Sequence, residues 1–307
     1  MALKQVLEVY ELLDRADASG ERVADLLRAR GVPEVTVTRV EGPSGHTEFV
    51  TGCLPGDGEG PTLGVIGRLG GVGARPTQIG MVSDGDGALV ALATALKLAD
   101  LRAHGDALTG NVRFATHVCP DSPIIPHDPV PFMSSHVDIA VMNRHEVHPD
   151  MQAILTIDTT RGNRVINQRG FAISPTVKDG YLLRVSEDLL DLMSWTTGLP
   201  PVVFPLTTQD ITPYGNGLYH LNSILQPATA TDAPVVGVAL TAQTTVPGSA
   251  SGATQLMDCE AATRFCVEVA KAYTRGRCRF FDPAEWAILQ ARYGSLSHLR
   301  GMGRAPA

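Results

Sequence analysis

The pattern of apolar and polar positions predicts helices at the start of the chain, followed by a β-hairpin. Apolar residues recur at helical spacing over residues 3–15 and again over residues 21–30. Alternation with a period of two then runs over residues 35–40 and, after a turn, over residues 47–54. These four segments predict two amphipathic helices and a hairpin of two strands.

Farther along the chain, short apolar runs alternate with longer helical patterns. The strand candidates are residues 63–66, 111–118, 137–142, 153–157 and 234–240, and the helix candidates are residues 87–100, 182–196 and 259–274. Strands that alternate with helices predict an α/β fold of three layers, with a mostly parallel central sheet and helices on both faces. Asp86 or Ser83 is expected to cap the helix that begins near residue 87.

Length and composition favour one large domain. The chain has 307 residues, of which 44% are hydrophobic and 19% charged, so it can bury a sizeable core. Because no Ser-rich or Pro-rich linker divides it, we expect a single domain over residues 1–307, with a core over about residues 5–274 and a C-terminal extension over residues 275–307.

Charge and cysteine content exclude several classes of protein. The formal net charge is -7, and Lys and Arg form no long basic stripe, which argues against a nucleic-acid partner. No run of 18 apolar residues is present, so no membrane span is expected. The five cysteines are odd in number and widely spaced, with no C-x-x-C pair, which predicts reduced thiols and a cytoplasmic protein.

Three segments carry a family resemblance. Ser19-Gly20-Glu21 opens the second helix, Val82-Ser83-Asp84-Gly85-Asp86 precedes a helix of small residues, and Leu155-Thr156-Ile157-Asp158 is a strand that ends in Asp. With the order of elements from about residue 5 to residue 274, they resemble the co-catalytic zinc aminopeptidases, which have a phosphorylase/hydrolase-like fold. The chain is identified as a member of a divergent, uncharacterised bacterial branch of that superfamily.

The resemblance implies which residues would form a metal site. Asp84 matches the carboxylate that bridges two metals, and Asp158 matches a ligand at a strand end. In Cys119-Pro120-Asp121, which stands where the family has a Glu-Glu pair, Asp121 would be a ligand and Pro120 occupies the position of the general base. The catalytic residue is therefore unknown. Thr208-Gln209-Asp210 weakly resembles a Gly-Thr-Asp segment, which makes Asp210 a candidate for substrate binding.

Two family histidines are missing. Gly67-Arg68-Leu69 stands where the first ligand is expected, and residues 241–252 contain no His. Carboxylate ligands alone favour Mg, Mn or Ca over Zn. His145 and His148 lie on either side of Glu146. The sequence gives equal support to two interpretations of this pair, as metal ligands or as ordinary surface or core residues. The implied cofactor is a divalent metal, either Zn, Mn or Mg.

Each candidate has a simpler interpretation. Asp84 and Asp86 fit turn and capping positions, which are common for Asp in a Gly-rich segment. The glycine-rich stretch that starts at Gly67 could receive an anion through its backbone N–H groups, with Arg68 beside it, or could be a tight turn. Arg68 could also offset the carboxylates in place of a metal ion. Cys119 is either a nucleophile near His117 or, more simply, a buried thiol.

Two functions follow from the sequence. The favoured one is a metal-dependent hydrolase of the aminopeptidase or amidohydrolase-like class, acting on an amide bond of a small substrate through metal-activated water. The alternative is a catalytically inactive scaffold that binds a small peptide, an amino acid or an anion. Either way, the expected partner is a small molecule or short peptide. The 44% hydrophobic content, carried with few aromatic residues, and the assembly of relatives predict a homo-oligomer.

Overall fold

The computed structural model describes residues 1–68, 80–126, 128, 131–161, 164–249 and 251–304. The strands are Glu34–Gly42 (β1), Gly45–Leu54 (β2), Gly60–Gly67 (β3), Gly110–Val118 (β4), Ile124–Ile125 (β5), Phe132–Met133 (β6), Ala153–Arg161 (β7), Gly170–Ile173 (β8), Val177–Lys178 (β9), Tyr181–Leu182 (β10) and Val235–Ala242 (β11). The α-helices are Leu3–Leu13 (α1), Gly20–Ala29 (α2), Asp86–Ala103 (α3), Ile139–Glu146 (α4), Glu187–Thr197 (α5), Leu256–Thr274 (α6) and Pro283–Tyr293 (α7).

The central sheet, as far as the chain is described, has nine strands. Its order is β1-β2-β4-β3-β7-β11-β9-β10, and β8 also pairs with β11. The four central strands β4, β3, β7 and β11 are parallel, whereas the hairpin β1–β2 and the short strands beyond β11 are antiparallel. The predicted α/β fold with a parallel core is confirmed, and the antiparallel pairs extend its two edges.

Helices and loops cover both faces of the sheet. The larger hydrophobic cluster joins one face to α1, α3, α5 and α6. A smaller cluster lies on the other face, where Ile66, Ala115 and Ala239 of the strands pack against Phe204 and Leu225. The three-layer arrangement is therefore built around two apolar cores. No helix in the described ranges is long and apolar enough to cross a membrane.

The predicted strand at residues 137–142 is wrong, because this segment begins helix α4. Asp138 caps the helix, since its carboxylate accepts a hydrogen bond of 2.8 Å from the Val141 N–H. Met142, Asn143 and Glu146 are buried on the face towards the sheet. A short run rich in β-branched residues also fits a helix, so the cap and the packing decided the outcome.

The predicted cap of α3 is also wrong. Gly85 occupies the capping position, and no side chain accepts a hydrogen bond there. Asp86 is the first residue of the helix, and its carboxylate forms an ion pair with Arg161. The Asp86 side chain, which the sequence predicts to cap α3, instead forms a tertiary contact with Arg161.

The C-terminal extension follows α6 and packs on the β9–β10 hairpin. Lys178 lies 5.2 Å from the ring centroid of Trp286, and the Tyr181 hydroxyl donates to the Gly294 carbonyl at 2.6 Å. Helix α7 itself buries none of its residues.

The single domain and the homo-oligomer stay predictions, and the mass of the protein in solution tests the second.

The start of α3 lies directly on the sheet, at Gly87. A Cβ atom there would come within 2.5 Å of the Ile157 carbonyl oxygen and 2.7 Å of the Arg68 carbonyl oxygen. Both neighbours are backbone atoms, so they cannot rotate away. The close approach fixes the position of the first turn of α3 relative to β3 and β7.

We predict that Gly87→Ala destabilises the protein by about 1–3 kcal/mol, as overpacking does. In an ordinary helix the same change stabilises by roughly 0.5–1 kcal/mol, so the sign is diagnostic. Chemical denaturation measures it. Gly301→Ala is the control, because the nearest atom to its Cβ would be 3.8 Å away. An unchanged or raised stability of Gly87→Ala would contradict the close packing.

Candidate functional site

Three polar side chains form a row across the carboxyl ends of adjacent strands. Gly67 of β3 pairs with Ile157 of β7, and the Arg68 N–H donates to the Ile157 carbonyl at 2.7 Å, so the ladder continues one residue beyond β3. Extending the strand register by this one residue places Arg68 between His117 of β4 and Asp158 of β7. Paired residues of parallel strands project from the same face of a sheet. The three side chains therefore project towards the layer that contains α4.

Arg68 pairs with helix α4. Its side chain is 1% exposed, and its Nη1 atom lies 2.9 Å from Oε2 of Glu146, which is fully buried. The guanidinium also donates to Oδ1 of Asn143 and, at 3.6 Å, to the sulfur of Met142. Thus the residue that follows β3 attaches α4 to the sheet through charge.

His117 shares the Glu146 carboxylate with Arg68. Its Nδ1 atom lies 2.7 Å from Oε1 of Glu146. A carboxylate oxygen accepts hydrogen bonds, so this contact places the imidazole proton on Nδ1. Cys119 has different neighbours: its thiol is buried, near the Thr47 hydroxyl at 3.8 Å.

Asp158 is buried at the centre of the site. Its carboxylate accepts hydrogen bonds of 2.7 Å from the Thr159 N–H and 2.7 Å from the Ser223 hydroxyl. Burial raises the pKa of Asp158 to about 6, although these donors and the positive charge of Arg68 oppose the shift. Asp158 makes no ion pair within the described part of the chain.

Asp84 lies on the turn before α3, close enough to Asp158 for the charge of Asp158 to act on it. Its carboxylate accepts a hydrogen bond of 3.0 Å from the Met133 N–H, and its own N–H donates to the Gly248 carbonyl at 3.2 Å. A Cβ atom at position 248 would come 2.1 Å from Asp84 Oδ1, so glycine lets that segment approach. Burial raises the pKa of Asp84 to about 7, and the charges of Asp158 and Asp86 add to the shift.

A second buried ion pair lies towards α3 and α6. Arg161, at the end of β7, pairs with Asp86, and both side chains are at most 2% exposed. Burial raises the pKa of Asp86 to about 6, and Arg161 opposes the shift. Asp258 of α6 lies close enough for its charge to raise the pKa of Asp86 further, and it pairs with Arg169 at 3.6 Å.

The other predicted ligands lie apart from Asp84 and Asp158. Asp121 is exposed on a turn. The ring of His145 stacks on Phe49 at 4.6 Å, and His148 is exposed with its Nδ1 atom 3.4 Å from Asp150. The structure thus brings together two of the five predicted metal ligands.

Asp210 is a fully buried residue whose carboxylate organises a loop. It accepts hydrogen bonds from the Thr207 N–H and hydroxyl at 3.0 Å each, from the Leu221 N–H at 2.8 Å and from the Asn222 N–H at 3.2 Å. These contacts hold the segment that carries Ser223. The predicted role of Asp210 in substrate binding stays a prediction.

The described residues do not fit the zinc pair of the aminopeptidases. In the described ranges, no group of three or more His, Cys, Asp or Glu side chains is arranged to hold a metal ion. Arg68, a cation, stands in the row where the resemblance expects a histidine. The predicted anion-binding stretch after Gly67 lies mostly in residues 69–79, outside the described residues.

Sequence reasoning missed several residues of the site. Glu146 enters the sequence pattern only as the residue between two histidines, and its burial depends on helix α4, whose first residues the pattern predicts as a strand. The role of Asn143 depends on the same helix. Arg161 and Ser223 have no motif around them, so only the tertiary structure shows that they contact Asp86 and Asp158.

We predict that Asp84→Asn becomes more stable relative to the wild type as pH rises. The folded-state pKa of about 7 lies above the ordinary value of 3.8, so the folded protein binds a proton more tightly than the unfolded chain. The stability that this proton contributes is present at pH 5 and is lost as pH rises through 7. Removing the ionisable group removes that loss, on the order of 1–3 kcal/mol.

Melting temperatures of both proteins at pH 5 and pH 8 measure the effect. Asp121→Asn is the matched control, because it makes the same change at an exposed carboxylate. If the difference in melting temperature between Asp84→Asn and the wild type is the same at both pH values, the carboxylate of Asp84 titrates as an ordinary surface group.

Comparison with known proteins identifies a family and a fold. Residues 38–303 match a family described as "Protein of unknown function (DUF1177)". Comparison with curated protein sequences gives no match.

Several solved structures resemble the chain at low sequence identity. LapA aminopeptidase from Legionella pneumophila is 11% identical with a TM-score of 0.52, and the match covers 89% of this chain and 72% of LapA. The bottromycin maturation enzyme BotP in complex with Mn is 14% identical with a TM-score of 0.53, covering 89% and 71%. Cytosol aminopeptidase from Coxiella burnetii is 14% identical with a TM-score of 0.50, covering 88% and 68%. The aminopeptidase-like fold is confirmed.

Proposed function

Because the chain belongs to the DUF1177 family, whose description names no activity, we propose its function from the site: an aminopeptidase-like scaffold that binds a small ligand through a primary amino group. The ligand is an amino acid or short peptide, and its ammonium lies between Asp84 and Asp158. The observation that carries the proposal is this pair of carboxylates, which have no ion-pair partner among the residues that the structure describes.

Charge makes these two carboxylates different from the others nearby. Glu146 and Asp86 each pair with a buried arginine, and Asp258 pairs with Arg169. Asp84 and Asp158 form no such pair in the described part of the chain, and their charges repel. Burial raises both pKa values, and the charge of Asp158 adds to the shift of Asp84, which means that the site favours an added positive charge.

An ammonium group can supply this positive charge. It brings one positive charge and three N–H donors, which two carboxylates accept from different directions. Ser223 and the Met133 N–H already hold the two carboxylates in place. Two of the similar structures are aminopeptidases, proteins named for action at the amino end of a peptide, and this agrees with an amino group as the recognised feature.

We predict that dipeptides with a free amino terminus bind and that their N-acetyl derivatives do not. Acetylation removes the charge, so we expect at least tenfold weaker binding, about 1.4 kcal/mol. Asp84→Asn and Asp158→Asn should each weaken binding of the free dipeptides by about tenfold or more, since the negative charge that strengthens the contact with the ammonium is lost.

Isothermal titration calorimetry at pH 7.5 measures these affinities. Asp121→Asn, at an exposed carboxylate, is the control and should bind as the wild type does. Equal binding of acetylated and free dipeptides would show that the carboxylates do not recognise an amino group.

A second candidate function is metal-dependent hydrolysis of an amide bond in a small substrate. The same observation favours it, because a pair of carboxylates with bound water is a common way to hold Mg²⁺, and Mn²⁺ has similar ligand preferences. BotP, which is similar in fold, has a solved structure in complex with Mn. Asp84 and Asp158 would hold the ion, Zn, Mn or Mg, and the ion would supply an activated water.

Elemental analysis separates the two functions. For a metal-dependent hydrolase, protein purified without chelator should contain about one equivalent or more of a divalent metal, and Asp84→Ala should lose it. For the amino-group site, wild type and variant should both lack stoichiometric metal. A metal that Asp84→Ala retains would place the metal outside this site.

A further inference from the structure

Two arginines are buried at the carboxyl ends of neighbouring strands. Arg68 follows β3 and Arg161 ends β7, and these strands are adjacent in the sheet. Among the ion pairs of the described residues, only Arg68–Glu146 and Arg161–Asp86 join an arginine and a carboxylate that are both at most 2% exposed. Since burying such charges costs several kcal/mol per ion, an isolated guanidinium would not be retained there without a compensating role.

The two arginines lie on opposite faces of the sheet edge. Arg68 reaches α4 through Asn143 and Glu146. Arg161 reaches the first residue of α3, Asp86, and its charge also opposes the rise that burial causes in the pKa of Asp258 of α6. Asp84 and Asp158 each interact with one of the two cations: burial raises both pKa values, and Arg161 opposes the shift of the first whereas Arg68 opposes the shift of the second.

We propose that Arg68 and Arg161 are resident cations that take the electrostatic role of a pair of metal ions, so that the carboxyl-edge site assembles without a divalent metal. Each guanidinium neutralises one carboxylate directly and partly offsets a second. This proposal uses the same carboxylates as the proposed function but does not require that any ligand binds.

A charge balance follows from this assignment. Among the described residues, five buried or half-buried carboxylates interact with Arg68 or Arg161, and these are Asp84, Asp86, Glu146, Asp158 and Asp258. Two divalent metal ions would bring four positive charges, whereas two guanidinium groups bring two. Arg169 pairs with Asp258 from the surface. The remaining negative charge lies on Asp84 and Asp158, where it is available to a proton or to a cationic ligand.

Guanidinium groups differ from metals in how they are held. They stay charged at every accessible pH, and they cannot dissociate or be removed by a chelator. Within the described ranges, the buried Nε–H of Arg68 and that of Arg161 have no hydrogen-bond partner, so ion pairing compensates these side chains more than complete hydrogen bonding does. The site is therefore expected to keep its geometry in the presence of EDTA.

The test measures the stability of three variants at each arginine. At position 161 they are Arg161→Met, Arg161→Lys and the double variant Arg161→Met/Asp86→Asn. At position 68 they are Arg68→Met, Arg68→Lys and the double variant Arg68→Met/Glu146→Gln. Arg184→Met removes an exposed ion pair with Glu285 and is the matched control. We expect each Met variant to lower the melting temperature by about 5 °C or more, because an unpaired buried carboxylate remains. The Lys and double variants should recover part of that loss, since they restore the cation or remove the anion.

Wild-type protein should contain no stoichiometric divalent metal and should keep its melting temperature in EDTA. A stoichiometric, chelator-removable metal in the wild type overturns the proposal. It is also overturned if the Met variants lose no more stability than Arg184→Met, or if the Lys and double variants are as unstable as the Met variants. Where a Met variant does not fold, the folded double variant alone supplies the comparison with the wild type. Amino-group binding is measured separately, so its failure leaves these outcomes unchanged.

Discussion

The arrangement of this protein depends on how charge is accommodated at the buried carboxyl edge of its sheet. A carboxylate removed from water must take up a proton, pair with a cation or accept several hydrogen bonds. All three solutions occur here: Glu146 and Asp86 pair with arginines, Asp158 accepts hydrogen bonds, and Asp84 has a pKa near neutrality. The positions of the surrounding helices and loops follow from these requirements.

These charges connect elements that apolar packing alone would hold less specifically. Arg68 attaches α4 to one face of the sheet, and Arg161 attaches the start of α3 to the other. The Ser223 hydroxyl then joins the long segment before β11 to Asp158. Because one sheet edge receives contacts from both layers, a change in one buried charge should be felt across the site.

This chain has the aminopeptidase-like fold with a different set of residues at the carboxyl ends of the strands. Open parallel sheets place their ligand sites at the carboxyl ends of the strands, and Asp84 and Asp158 lie at that edge here. The residues at this edge differ from the expected set, since Arg68 stands in the row where the resemblance expects a histidine and the segment after β11 has none. A shared fold therefore does not carry a shared set of functional residues with it.

The sequence by itself determined the α/β architecture and most of the strands, because hydrophobic periodicity is a local property, and the family resemblance of its motifs made Asp84, Asp158 and Arg68 candidates. It placed the first half of α4 in a strand and did not identify Glu146 or Arg161 as partners. Those contacts join residues 78 and 75 positions apart, and only packing brings them within ion-pair distance. Which carboxylates are neutralised, and which remain available, is a tertiary property, because the cost of a buried charge depends on every group around it.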